Sequence, residues 1–136
     1  MNYNFELPFL PERISKPRKD GLTMMMDKGL SIRETEDFLS VSGDYVDIVK
    51  LGFGTSMVCK NLTEKIKLFK EANISVYLGG TLFEAFIVRN MFDDYLRLLD
   101  KLKLGMAEVS DGSVVMPHEK KCEYIHRISK NFTVLS

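Results

Sequence analysis

An excess of charge of either sign is the first thing this chain lacks: 19 Lys and Arg stand against 19 Asp and Glu, for a formal net charge of zero. That balance gives no electrostatic pull toward nucleic acid or an anionic membrane, so neither is expected as a partner. One basic cluster exists, Lys16-Pro17-Arg18-Lys19, and it is too short to outweigh the balance. Cysteine is scarce too. Cys59 and Cys122 stand alone, without CxxC or any metal-type spacing, which excludes a disulfide framework and makes a reducing cytoplasm the simplest location. No apolar run approaches the ~20 residues that span a bilayer. The opening MNYNFELPFLPERIS has no basic leader and places Glu6 and Pro8 inside its apolar part, so no signal peptide is expected. Histidine occurs only as His118 and His126, with no HxxxH pair. The glycine turns match no nucleotide signature: GFGTS lacks the Lys-Ser/Thr ending of a P-loop, and a bare GxG is not GxGxxG.

What is present fits one domain with a real core, at 136 residues, 45% hydrophobic and 28% charged. Residues 1–20 read as an extended lead-in, because Pro8, Pro11 and Pro17 oppose helix. Residues 21–136 form the domain. The run LTMMM at 22–26 is short, continuous and apolar, as expected of a strand buried on both faces, with Met24 to Met26 as core. Ser31 and Glu34 make a capping box, and the helix behind it runs to about Ser40 with Ile32, Phe38 and Leu39 inward. A second strand covers 45–49. Asn61 caps a helix whose Leu62, Ile66 and Phe69 recur at one face, with its charged residues mostly outside. A third strand at 74–78 closes on Gly79-Gly80, and two helical patches follow at 82–89 and 92–102. The fourth strand is 106–109, Pro117 starts a helix, and the fifth strand is 132–135.

Strands of buried type alternating with helices imply an α/β fold with a parallel sheet and right-handed crossovers. Two architectures satisfy that pattern. One is an open five-stranded, flavodoxin-like sheet; the other is part of a (β/α)8 TIM barrel, which needs ~250 residues when complete. In either, a ligand site lies beyond the carboxyl ends of the strands. Charged residues collect there: Asp27 after strand one, Lys50 at the end of strand two, Glu84 in GGTLFE after strand three, and Glu108 and Asp111 in AEVSDG. Glu108 interrupts an apolar strand, and an unpaired charge there is costly, so it calls for a partner such as Lys50 or a cation. Asp27 before Lys28-Gly29, and Asp111 before Gly112, also read as ordinary turn formers. Lys50 also reads as half of a structural ion pair, and Glu84 as a first-turn helix residue favoured by the macrodipole. Three carboxylates and a lysine on one rim suit Mg²⁺ held by oxygen ligands, with the lysine as proton donor or anion anchor. Gly52, Gly54, Gly79 and Gly80 add backbone amides able to approach an anion.

Taken in order, KPRKDGLTMMMDKG, GDYVDIVKLGFGTS, VYLGGTLFE, AEVSDGSVVMP and FTVLS resemble the phosphosulfolactate synthase family, which also includes plant heat-stress-associated proteins. The resemblance runs from Lys16 to the last residue. It implies the (β/α)8 barrel, of which these residues form roughly the N-terminal half. It also implies a Mg²⁺-dependent lyase that adds sulfite to phosphoenolpyruvate, giving 2-phospho-3-sulfolactate, an intermediate of coenzyme M or sulfolactate biosynthesis. Carried onto this sequence, Lys50, Glu84 and Glu108 become the catalytic candidates. Asp27, Glu84 and Glu108 become the metal ligands, and Gly52, Gly54, Thr55, Gly79 and Gly80 the anion-binding turns. Family members continue past VLS, so a truncated chain is expected, self-associating through open sheet edges and with little activity of its own. A non-catalytic stress-related or assembly module of the same family is the alternative.

Overall fold

A computed structural model describes residues 4–136. Five parallel strands alternate with five helices: β1 (Met24–Asp27), α1 (Ile32–Ser42), β2 (Ile48–Leu51), α2 (Leu62–Glu71), β3 (Ser75–Leu78), α3 (Gly80–Ile87), α4 (Phe92–Lys101), β4 (Met106–Glu108), α5 (His118–Ser129) and β5 (Thr133–Leu135). The expected elements are all present, with boundaries displaced by a few residues. β1, β2 and β3 form one ladder in that order, and β4 pairs with β5 in a second. β3 and β4 lie side by side. The strands therefore follow chain order throughout. A flavodoxin-like sheet would put β1 between β2 and β3, so that architecture is excluded by β2 occupying the middle.

Each strand alternates its faces. Val49, Leu51, Val76, Leu78 and Ala107 are buried against the helices, together with Ile66 and Phe69 of α2, Phe83 of α3 and Leu99 of α4. Removing a side chain such as Phe69 from water contributes about 1.5–3 kcal/mol. Phe38 of α1 meets Phe69 of α2 edge to face, with ring centroids 6.5 Å apart. Ile48, Lys50, Met106 and Glu108 occupy the opposite face of their strands.

Three local expectations need correction. β1 is an edge strand, so its apolar run is not buried on both faces: Met24 is 48% and Met26 37% exposed. The capping box at Ser31 and Glu34 is formed as expected, but Asn61 enters α2 in the left-handed region with no side-chain cap. Pro117 is the extended residue before α5 rather than its first helical residue. Two residues of the basic cluster are engaged within the fold. Arg18 is buried and donates to Asp47 at 2.7 Å and to the carbonyl of Asp44 at 2.9 Å, while Lys16 reaches the carbonyl of Gly43 at 2.8 Å. These contacts tie the proline-rich lead-in to the end of the sheet remote from the strand carboxyl termini.

Candidate active site

The carboxyl ends of β2 and β4 bring two opposite charges together. Lys50 Nζ lies 2.8 Å from both carboxylate oxygens of Glu108, and the two side chains are each 19% exposed. The amide N–H of Gly80, at the start of α3, donates to Glu108 Oε2 at 2.6 Å. Glu108 can thus interrupt its strand because an ammonium and a helix N-terminus both stabilise its charge. That approach requires glycine. A Cβ on Gly80 would overlap Ser110 Cβ, and one on Gly79 would come within 3.0 Å of Lys50 Cε. Tyr77 is paired in register with Lys50 and shares its face of the sheet. Burial, and then the charge of Glu108, push its phenol up to about 12, so it stays a protonated donor. Tyr95 of α4 is raised by the same two causes.

The other two expected carboxylates are engaged elsewhere. Asp27 pairs in register with Leu51, not with Lys50, so its side chain faces the helix layer. There it is fully buried, accepts from the amides of Gly29 and Leu30 at 2.7 and 2.8 Å, and lies 2.8 Å from Lys65 Nζ of α2. The Lys65 contact is a charge contact, since Asp27 Oδ2 is not aligned with a donated N–H. Glu84, buried in α3, holds the loop after β4: Ser110 Oγ and the amides of Gly112 (3.0 Å) and Ser113 (2.9 Å) all donate to its carboxylate. Of the turn residues, Gly79 spends its N–H on the carbonyl of Leu51 at 2.9 Å. Thr55 donates its hydroxyl to the carbonyl of Gly52 at 2.8 Å, and Gly54 takes φ 70 inside the same turn. Asp111 is exposed and pairs with Lys121 of α5 at 2.8 Å.

A sequence model of (2R)-phospho-3-sulfolactate synthase matches residues 11–136. The chain belongs to the phosphosulfolactate synthase family. It is 44% identical over 119 residues to the phosphosulfolactate synthase of Methanocaldococcus jannaschii, covering 85% of this chain and 47% of that protein. With those of Bacillus subtilis and Methanothermobacter thermautotrophicus it is 36% identical over 127 and 129 residues, covering 93% of this chain and 50% of each relative. The chain therefore spans about half the length of the curated relatives it matches.

Within this family member, the residues that meet are Lys50, Glu108 and Gly80, with Tyr77 beside them. Asp27, Glu84 and Glu108 do not fit a shared Mg²⁺ as they stand. Each has its own partners, and among the described residues no three Asp, Glu, His or Cys side chains converge on a point. Reading the sequence missed Tyr77, Ser110 and Lys65. Tyr77 was within reach, because Lys50 and Tyr77 each stand one residue before the Leu that precedes Gly in KLG and YLG. Lys65 carried no signal: it sits among charges on a helix whose polar side was expected to face water.

Proposed function

We propose that the chain forms the first strand–helix units of a (β/α)8 barrel and carries part of a site that adds sulfite to phosphoenolpyruvate. The observation that supports this most is the Lys50–Glu108 pair, set at the strand carboxyl ends under the N-terminus of α3. In this reading the sulfur lone pair of sulfite forms a C–S bond to the terminal carbon of the enol. The C=C electron pair moves onto the carboxylate, and the Lys50 ammonium delivers a proton to the central carbon, closing 2-phospho-3-sulfolactate. Glu108 holds the ammonium in place and takes up its orientation again when Lys50 is reprotonated from solvent. No step is assigned to Mg²⁺, because binding it through these carboxylates would mean displacing Lys50 or the loop around Ser110. The outer edges of β1 and β5 are the surfaces through which copies would associate; sedimentation that stays monomeric at rising concentration would remove that part of the reading.

The test is loss of enol absorbance when the purified chain meets phosphoenolpyruvate and sulfite, with and without Mg²⁺. Turnover that disappears in Lys50→Met is the expected result, and turnover unchanged in that variant sinks the assignment. A second reading, a non-catalytic module of the same family, is favoured by the internal partners that Asp27 and Glu84 already have. It predicts no turnover under any of these conditions.

A further inference from the structure

At the carboxyl end of β1 lies a cation without an acidic partner among the described residues. Lys28 follows β1 directly, is exposed, and has no carboxylate within ion-pair distance among the described residues. Its backbone is held rather than loose. The buried Asp27 accepts the amides of Gly29 and Leu30, so the loop is folded back on a fixed anchor with Lys28 at its tip. The ammonium lies over the ring of Phe53, 5.8 Å from its centroid. Phe53 is itself unusual. It adopts φ 53, ψ 24, a left-handed conformation that aromatic residues rarely take, and it is 62% exposed, so core burial does not account for it. The turn between them and the site is tight: a Cβ on Gly52 would lie 3.4 Å from the carbonyl of Asp27, and Gly79, against Lys50 Cε, would place its own 3.4 Å from Gly52 Cα.

An anion needs an uncompensated cation. Lys50 is neutralised by Glu108 and Lys65 by Asp27, whereas Lys28, at the carboxyl end of β1 and held against Phe53, is in no ion pair among the described residues. We propose that Lys28, steadied by Phe53, is the phosphoryl anchor of the site, taking the phosphate group of a phosphorylated three-carbon acid while Lys50 works at the carbon skeleton. The assignment rests on the proposed function above and adds a residue to it. It also gives Asp27 a positioning role, through the loop that presents Lys28.

The measurement is binding, not turnover, so that the two readings fail separately. The whole chain is titrated at low salt with inorganic phosphate, phosphoenolpyruvate and sulfite in turn, followed by amide chemical shifts. Lys28→Met is expected to weaken phosphate and phosphoenolpyruvate at least tenfold and to leave sulfite unchanged, with Lys28→Arg restoring most of the affinity. Phe53→Gly, which suits the left-handed backbone, is expected to melt no lower than the unsubstituted chain and still to bind phosphate several-fold more weakly. Phosphate bound equally well by Lys28→Met overturns the inference, as does a loss confined to sulfite. If the chain binds none of the three anions, this inference and the proposed function fall together. Lys28-dependent phosphate binding without turnover keeps the anchor and removes the reaction.

Discussion

Removing the ammonium of Lys65 tests whether Asp27 belongs to the scaffold or to the chemistry. Its side chain is 2% exposed and that of Asp27 is fully buried, with 2.8 Å between their charged atoms. Lys65→Met keeps most of the side-chain volume, so no cavity forms, but leaves a buried carboxylate without its cation. Breaking such a pair from one side costs about 3–5 kcal/mol. Asp27 keeps two amide donors, which holds the cost near the lower limit, about 3 kcal/mol, even though Leu30 also loses the ammonium that donates to its carbonyl at 2.7 Å. A domain of this size is stable by about 5–15 kcal/mol, so the variant should still fold. With a urea slope of about 1–3 kcal/mol per molar, its midpoint should fall by roughly 1–3 M. The double variant Asp27→Asn/Lys65→Met removes both charges and should recover at least half of the loss, giving a coupling of about 1.5 kcal/mol or more. A Lys65→Met variant within about 1 kcal/mol of the parent, or strictly additive effects, would refute the argument.

Two further outcomes follow from the same reasoning. Glu84→Gln sets an amide group against donors that now point at a carboxylate, costing about 1–3 kcal/mol, and should speed hydrogen exchange at Gly112 and Ser113 with little change elsewhere. For Asp47, burial acts to raise the carboxyl, but the Thr23 amide and Arg18 outweigh it and hold the group below its usual value of 3.8. Its contribution is therefore complete above that value and lost as pH falls through the lower folded value, so urea midpoints should drop below about pH 4, and less steeply in Asp47→Asn.

Local chemistry was legible wherever neighbours in sequence decide the outcome. The Ser31–Glu34 capping box, the inward Leu62, Ile66 and Phe69, and the need of Glu108 for a cationic partner all read directly from spacing and residue type. The run at Met24 to Met26 misled because composition does not say whether a second strand lies alongside. Asp27 misled for a different reason. It ends its strand at the same rim as Lys50, but the β1–β2 register gives that place opposite Lys50 to Met26 and turns Asp27 to the helices.

The sequence by itself determined the alternation of strand and helix, the glycine turns at the strand ends, the charges collected there, and the family. Those depend on short-range pattern and on residue types that survive in order along the chain. Only the tertiary structure decided which charges meet. Lys50 and Glu108 are separated by 58 residues and Glu84 and Ser113 by 29, and their pairing depends on strand order, register and the face each side chain takes. Spatial arrangement also separated a carboxylate that holds a lysine from one that holds a loop.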